Sequence, residues 1–297
     1  MKTTGIILRG VGGLYMVWTK EKTAVPCRPR GVFRHKSIVP LPGDRCEILL
    51  LEDGMGRIES LEPRRNQLVR PTVCNVDAML LVLSEAIPRS DPYLIDRLTA
   101  VAAFQGIEVL LAVNKVDITE EERLTVLYGG LFPTHRTSAV TGEGLEPLRE
   151  ALRGKTVVFT GNSGVGKSSL LNALCPDMNL KTGEVSTHLG RGKHTTRHVE
   201  FFSLPFDCVA VDTPGFSALD TAADIGRDSL DACFVEFRPY LAQCRFTGCL
   251  HNHVKGCAVE EAVEAGEINT VRYENYLRIL EDSPGAEWED KKRPGQA

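Results

Sequence analysis

Residues 161–168 read Gly161-Asn162-Ser163-Gly164-Val165-Gly166-Lys167-Ser168, a glycine-rich run closed by a lysine and a hydroxyl. Such a run lets several backbone N–H groups converge on phosphate oxygens, provided that it links a strand to a helix. The β-branched stretch Thr156–Thr160 precedes it and the amphipathic Lys167-Ser168-Ser169-Leu170-Leu171 run follows, so that setting is met. The opening of the helix adds a field that favours an anion. Lys167 is expected to neutralise the β- and γ-phosphates of a bound nucleotide and Ser168 to ligate Mg²⁺, with Ser169 beside them.

Two further stretches supply what a triphosphate site needs. Asp212 and Gly215, in Asp212-Thr213-Pro214-Gly215-Phe216, close an apolar strand. Asp212 is expected to hold Mg²⁺ and the Gly215 N–H to sense the γ-phosphate. Upstream, residues 190–200 contain His194, Thr195 and Thr196. One of the two threonines can close over metal and γ-phosphate, as a switch segment does. A solvated basic loop is the rival reading, which Arg191, Lys193 and Arg197 also satisfy. Phe216 stands where many GTPases carry a water-orienting glutamine, so slow intrinsic turnover is expected. His194 is a candidate for positioning water, with an ordinary loop histidine as the alternative.

The base is read elsewhere. In Asn114-Lys115-Val116-Asp117 the Asp117 carboxylate can accept from guanine N1–H and the exocyclic amine, which adenine does not offer in that pattern. Asn114 is expected at the other edge of the base, with the Lys115 stem along the ring. Ser138 and Ala139 follow, with the Ala139 N–H available to guanine O6. These motifs precede the phosphate loop, the reverse of the usual order. A circular permutation explains the reversal, because joining the natural ends and opening the chain elsewhere leaves strand neighbours unchanged. Two incomplete domains are the competing account, but neither half carries a full site.

A different chemistry lies near the C-terminal end. Cys244, Cys249, His251 and Cys257 follow the pattern C-x4-C-x-H-x5-C, with His253 as a rival nitrogen donor. Three thiolates and one imidazole close a tetrahedron and leave no position for water, which suits a structural Zn²⁺. The other cysteines of the nine are scattered, a pattern for a reducing compartment rather than a disulfide framework.

The elements that must hold these residues fall into three segments. Residues 1–70 read as short strands around Gly12-Gly13 and Asp53-Gly54, with no convincing helix, which suggests a small closed barrel; the OB-fold is a candidate. Residues 71–222 alternate strands with helices, the signature of a doubly wound parallel sheet. Residues 223–297 read as helices around the Cys/His knot, at about 258–265 and 269–281, ending in a polar frayed tail. With 42% hydrophobic and 25% charged residues and a net charge of −4, this is the composition of an ordinary soluble globular protein, not of a chain that coats nucleic acid by bulk charge. The three segments together read as a multidomain α/β chain. A local basic run, Arg28, Arg30, Arg34, His35 and Lys36 beside Phe33, could still face RNA; a solvated face explains it equally. There is no secretion signal or membrane-length apolar run, so a cytoplasmic location is expected.

Taken together, the motifs resemble the circularly permuted GTPases that act on the small ribosomal subunit, the RsgA/YjeQ/YloQ family. The likeness runs through nearly the whole chain, from Pro42-Gly43-Asp44-Arg45, Asn75-Val76-Asp77 and Leu94-Ile95-Asp96-Arg97 to Arg272-Tyr273-Glu274-Asn275-Tyr276. It implies an N-terminal OB domain, a permuted GTPase domain and a C-terminal zinc domain with His251 as the nitrogen ligand. It also implies a factor for late maturation of the 30S subunit, contacting 16S rRNA, whose turnover of GTP to GDP that subunit stimulates; separately, a monomer is expected. Two other readings stand beside it. One is a nucleotide-gated RNA-binding module with little turnover, which Phe216 favours; the other is an ATP-using enzyme, which Asp117 opposes.

Overall fold

The computed structural model describes residues 1–69, 72–176, 200–212 and 225–283, with backbone alone at Arg34, Glu200, Phe202, Ser203 and Asp212. The chain divides into two compact units that interleave in sequence. One comprises Met1–Leu80, Leu145–Thr160 and Lys167–Phe216; the other comprises Leu81–Gly144, Gly161–Gly166 and Ser217–Ala297.

The first unit begins with five strands, β1 (Lys2–Val11), β2 (Leu14–Thr19), β3 (Ala24–Pro29), β4 (Arg45–Leu50) and β5 (Gly56–Leu61). They close into a barrel in the order β1-β2-β3-β5-β4, the size and partly crossed wiring of an OB-fold. Alternation places Ile7, Val17, Cys27, Cys46, Ile48 and Ile58 inside. One helical turn, α1 (Gly31–His35), interrupts the strands, contrary to the expectation of a helix-free barrel. Phe33 points from it into the barrel core at 6% exposure. It therefore cannot serve as the stacking aromatic of an RNA face, and this corrects that part of the sequence reading. Arg28, Arg30, His35 and Lys36 are exposed.

Asp44 ties the barrel to the chain that leaves it. Its carboxylate is fully buried and accepts from Arg64 Nε and Nη2, both at 2.8 Å, and from the Leu41 N–H at 2.7 Å. Asn75 donates to Gly43 O at 2.9 Å, beyond a two-stranded ribbon of β6 (Gln67–Leu68) and β7 (Val73–Cys74). Asp77 Oδ2 accepts from the Thr156 N–H at 2.8 Å. The Pro-Gly-Asp-Arg and Asn-Val-Asp motifs are thus one polar clamp.

The remaining strands are β8 (Ala78–Ser84), β9 (Glu108–Asn114), β10 (Thr134–Arg136), β11 (Thr156–Thr160), β12 (Glu200–Leu204) and β13 (Cys208–Asp212). They form a sheet of order β10-β9-β8-β11-β13-β12. β9 and β10 run parallel, as do β11 and β13, while β12 is an antiparallel edge. β8 is buried along its whole length, as a strand covered on both faces must be. Four helices accompany the sheet in sequence: α2 (Pro92–Phe104), α3 (Arg123–Tyr128), α4 (Leu145–Leu152) and α5 (Lys167–Leu174). Asp91 caps α2 by accepting from the Tyr93 N–H, and Pro92 sits at its first turn, where no N–H is needed.

In the second unit, α6 (Arg227–Leu230), a 3₁₀ turn at Asp231–Cys233 and another at Leu241–Gln243 lead to the cysteine cluster. α7 (Ala258–Glu264) and α8 (Thr270–Asp282) follow it, close to the two helices expected there. All nine cysteines are free. Among the described residues, no helix is long and apolar enough to cross a membrane.

Candidate functional site

Asn114 ends β9 and is 2% exposed. Its Nδ2 donates to Val165 O in the glycine-rich loop at 3.0 Å, and its Oδ1 accepts from the Ala139 N–H at 3.1 Å. One side chain therefore knits the Asn-Lys-x-Asp motif, the Ser-Ala motif and the phosphate loop together. The fit is close. A Cβ on Gly166, where φ is +97°, would come within 2.4 Å of Asn114 Nδ2, and one on Gly161 within 2.1 Å of Val82 O. Both glycines are required by this approach as well as by their backbone angles.

Asp117 is exposed, and Ser138, fully buried, donates its hydroxyl to Asp117 Oδ1 at 2.6 Å. The same hydroxyl oxygen accepts from the N–H groups of Val140 and Thr141, so it is locked from three sides. One oxygen of the carboxylate is thereby tied to the protein. Lys115 takes a left-handed backbone angle of 68° and donates from Nζ to Ile87 O at 3.2 Å. Ala139 was expected to offer its N–H to a base; in the structure that N–H already serves Asn114. Reading guanine O6 would need the bond to be shared or released.

Val165 is buried, Asn162 is half-buried, and Ser163 and Gly164 are exposed. Lys167 and Ser168 open α5. Burial lowers the Lys167 ammonium from its ordinary range, an environment that an anion would relieve. Ser168 is 8% exposed and Ser169 half-buried. The backbone of Asp212 ends β13, as expected, and its side chain is outside the described residues. His194, Thr195, Thr196, Gly215 and Phe216 lie outside them too.

Cys244, Cys249, His251 and Cys257 offer ligand atoms that all lie within 4.8 Å of one another. His251 Nδ1 faces Cys257 Sγ at 3.2 Å and Cys244 Sγ at 3.6 Å, and the residue is 1% exposed. Burial, helped by the thiols of Cys249 and Cys244, pushes the Cys257 thiol up to about 12. Three soft sulfurs converging on a buried imidazole fit a cation that replaces their protons. His253 is exposed and outside this group, which selects His251 between the two candidates. The Tyr273 hydroxyl donates to His251 O at 2.8 Å and the Tyr276 hydroxyl to Leu250 O at 2.9 Å, so α8 fixes the loop.

Sequence reading missed the other roles. Asn114 as a hub, Ser138 as the clamp on Asp117 and Ile87 as the rest for Lys115 depend on contacts between distant residues. Ile87 itself is 87% exposed.

A glycine-rich phosphate loop fastened by the base-reading asparagine, in a chain that meets the base motif first, defines a permuted P-loop GTPase. Comparison with known proteins places it further. Residues 61–222 match the RsgA GTPase model and residues 4–58 the RsgA N-terminal domain model. The chain is 45% identical over 282 residues to the small ribosomal subunit biogenesis GTPase RsgA of Caldanaerobacter subterraneus subsp. tengcongensis, covering 94% of this chain and 95% of that protein. It is 46% identical over 284 residues to the RsgA of Moorella thermoacetica, covering 93% and 96%. Among solved structures, YjeQ from Thermotoga maritima superposes with a TM-score of 0.82 at 35% identity over 99% of this chain and 100% of that one. YloQ, described as a circularly permuted GTPase, gives 0.79 at 31% identity over 99% and 98%. The chain belongs to the RsgA GTPase family.

Proposed function

We infer that this protein is a GTP-hydrolysing assembly factor that binds the 30S subunit, touches 16S rRNA during late maturation in the cytoplasm, and is stimulated by that subunit. The observation that carries the nucleotide half of this reading is the double hydrogen bond of Asn114 to Val165 O and the Ala139 N–H. It fastens the stretch read as base-reading to the glycine-rich loop. The ribosomal half rests on the relatives, which are biogenesis GTPases of the small subunit.

In this reading Asp117 accepts from guanine, the N–H groups of residues 161–169 cradle the phosphates, and Lys167 neutralises the β/γ charge. Ser168 and Asp212 hold Mg²⁺, with Thr195 or Thr196 completing its shell; the metal supplies neutralisation of charge on the transferred phosphoryl. The Gly215 N–H senses the γ-phosphate. His194 positions water in place of the missing glutamine. Cys244, Cys249, His251 and Cys257 hold one structural Zn²⁺. Residues 1–70, 71–222 and 223–297 are the barrel, GTPase and zinc segments. The exposed Arg28, Arg30, His35 and Lys36 are the groups of the barrel offered to rRNA phosphates in this reading, with Arg30 also paired to Glu59 at 3.2 Å.

The test is GTP hydrolysis by the full chain with and without purified 30S subunits, alongside ATP. Slow turnover that 30S raises by orders of magnitude supports the reading. Turnover indifferent to 30S removes the ribosomal part, and equal use of ATP removes the guanine part. His194→Ala with intact GTP binding and unchanged stimulated turnover would remove the histidine.

A further inference from the structure

His251 has two ring nitrogens, and one of them faces the sulfur cluster. Nδ1 lies 3.2 Å from Cys257 Sγ and 3.6 Å from Cys244 Sγ. Nε2, on the far side of the ring, is buried and has no hydrogen-bond partner among the described residues. Asp231 Oδ2 stands 3.5 Å from it, slightly beyond a good hydrogen bond. The imidazole side chain is 1% exposed and that of Asp231 23%. Phe237 and Tyr276 flank the ring at centroid distances of 6.1 and 6.2 Å, so it has little freedom to turn over.

A neutral imidazole bound to a metal carries its single proton on the nitrogen away from the metal. With Nδ1 on the metal, that proton sits at Nε2 and points at Asp231. We propose that Asp231 is the outer carboxylate of the metal site, accepting the Nε2–H of His251 and thereby fixing both the ring orientation and the Nδ1-ligating tautomer. Outer carboxylates of this kind hold the imidazole in register with the metal, and their loss weakens binding without removing a ligand. The carboxylate is itself anchored, because Oδ1 accepts from the Ala232 N–H at 2.7 Å. Asp231 precedes all four ligands in the chain, outside the Cys/His pattern, so no motif marks it. The proposal rests on the Zn²⁺ reading of the four ligands.

The bland role for Asp231 is to cap the 3₁₀ turn that it opens. The two roles separate in an experiment on the full chain. Zinc content is measured by elemental analysis, and zinc affinity by competition with a chelator of known strength. The wild type is expected to hold one zinc, and Asp231→Ala to bind it about 10–100-fold more weakly. Asp231→Asn keeps an acceptor oxygen and is expected to recover most of that loss. A capping role alone would lower thermal stability of metal-free and zinc-loaded protein alike and leave zinc affinity unchanged, which overturns the proposal. A second measurement needs no variant. In zinc-loaded wild type, nitrogen-15 NMR of the histidine rings is expected to find the His251 proton on Nε2; a proton on Nδ1 overturns the proposal even where Asp231→Ala does not fold. A wild type without zinc overturns the metal reading itself, and that outcome is distinct from zinc bound with Asp231 indifferent.

Discussion

Arg272 Nη1 on α8 donates to Asp96 Oδ1 on α2 at 2.6 Å, with the two side chains at 1% and 0% exposure. The contact joins residues far apart in sequence, from two motifs to which no chemistry had been attached. Asp96 also accepts from the Tyr128 hydroxyl and from Asn275 Nδ2, both at 2.7 Å. Arg272 reaches Glu236 through Nε at 2.6 Å and Nη2 at 2.8 Å, and it lies over the Phe234 ring at 4.9 Å. α8 thus grips α2 by its arginine and asparagine and the cysteine-rich loop by its two tyrosines.

Removing the arginine is expected to cost more than removing either acid. Arg272→Met leaves two buried carboxylates without their cation, a loss of about 3–5 kcal/mol. Asp96→Asn keeps the two-point Arg272–Glu236 pair and turns one amide toward another at Asn275, which can flip to accommodate it; about 1–3 kcal/mol is expected. Urea unfolding of both variants checks the order. Equal losses would mean that the charge balance is not what matters.

The Asn114 hub predicts coupled effects on stability and binding. Asn114→Ala strands the Val165 carbonyl and the Ala139 N–H, costing about 1–3 kcal/mol of stability. Gly166→Ala places its new methyl within 2.4 Å of Asn114 Nδ2 and strains a backbone angle of +97°. The double variant removes the clash, so the two costs are expected to add to less than their sum. Nucleotide binding, read with a fluorescent GDP, is expected to fail in all three. Strict additivity in the unfolding experiment would separate the two residues.

How much of this was open to sequence reading depends on the range of each interaction. The phosphate loop and the Cys/His knot are local patterns, since their ligands must lie close together along the chain to reach one phosphate or one metal. The barrel strands were legible from alternation and from Gly12-Gly13, whose φ values of +58° and +80° make the β1–β2 turn. Phe33 was misjudged because the helical turn Gly31–His35 lies within the basic run, and the inner side of that turn is decided by the barrel core. Asp96, Arg272 and Asp231 were invisible as functional residues, and Ser138 was expected beside the base but not as the hydroxyl that holds Asp117. A polar side chain buried in an otherwise apolar helix face, such as Asp96 and Thr99 between Ile95 and Ala102, is the only local hint that a partner waits elsewhere.

In the proposed reading, base selection turns on Ser138 and Asp117. The 2.6 Å hydroxyl bond orients the exposed carboxylate, so Ser138→Ala is expected to weaken GDP binding by about tenfold while the protein still prefers guanine. Asp117→Asn replaces an acceptor by an amide that can donate, which suits the extra oxygen of xanthine. Competition between guanosine and xanthosine diphosphates measures both. If Asp117→Asn loses all binding with no gain for xanthine, the carboxylate is not the base-reading group.

Removal of the metal tests whether the cysteine-rich loop and α8 are one mechanical piece. The Tyr273 and Tyr276 hydroxyls bond to the carbonyls of His251 and Leu250, and His251 holds a left-handed φ of 52°. In the proposed reading, a Zn²⁺ drawing the four ligands together would fix that turn, and its binding energy would be available to the fold around it. Without it, nothing draws the three thiols and the imidazole together, and the loop that the tyrosines grip is expected to loosen. Chelation is expected to raise amide hydrogen exchange across 244–257 first, then along α8, as Tyr273 and Tyr276 lose their acceptors. Protection in β1–β5 is expected to stay, because the barrel has its own core. Exchange confined to 244–257, with α8 as protected as before, would show that the Arg272–Asp96 contact holds the helix without help from the metal.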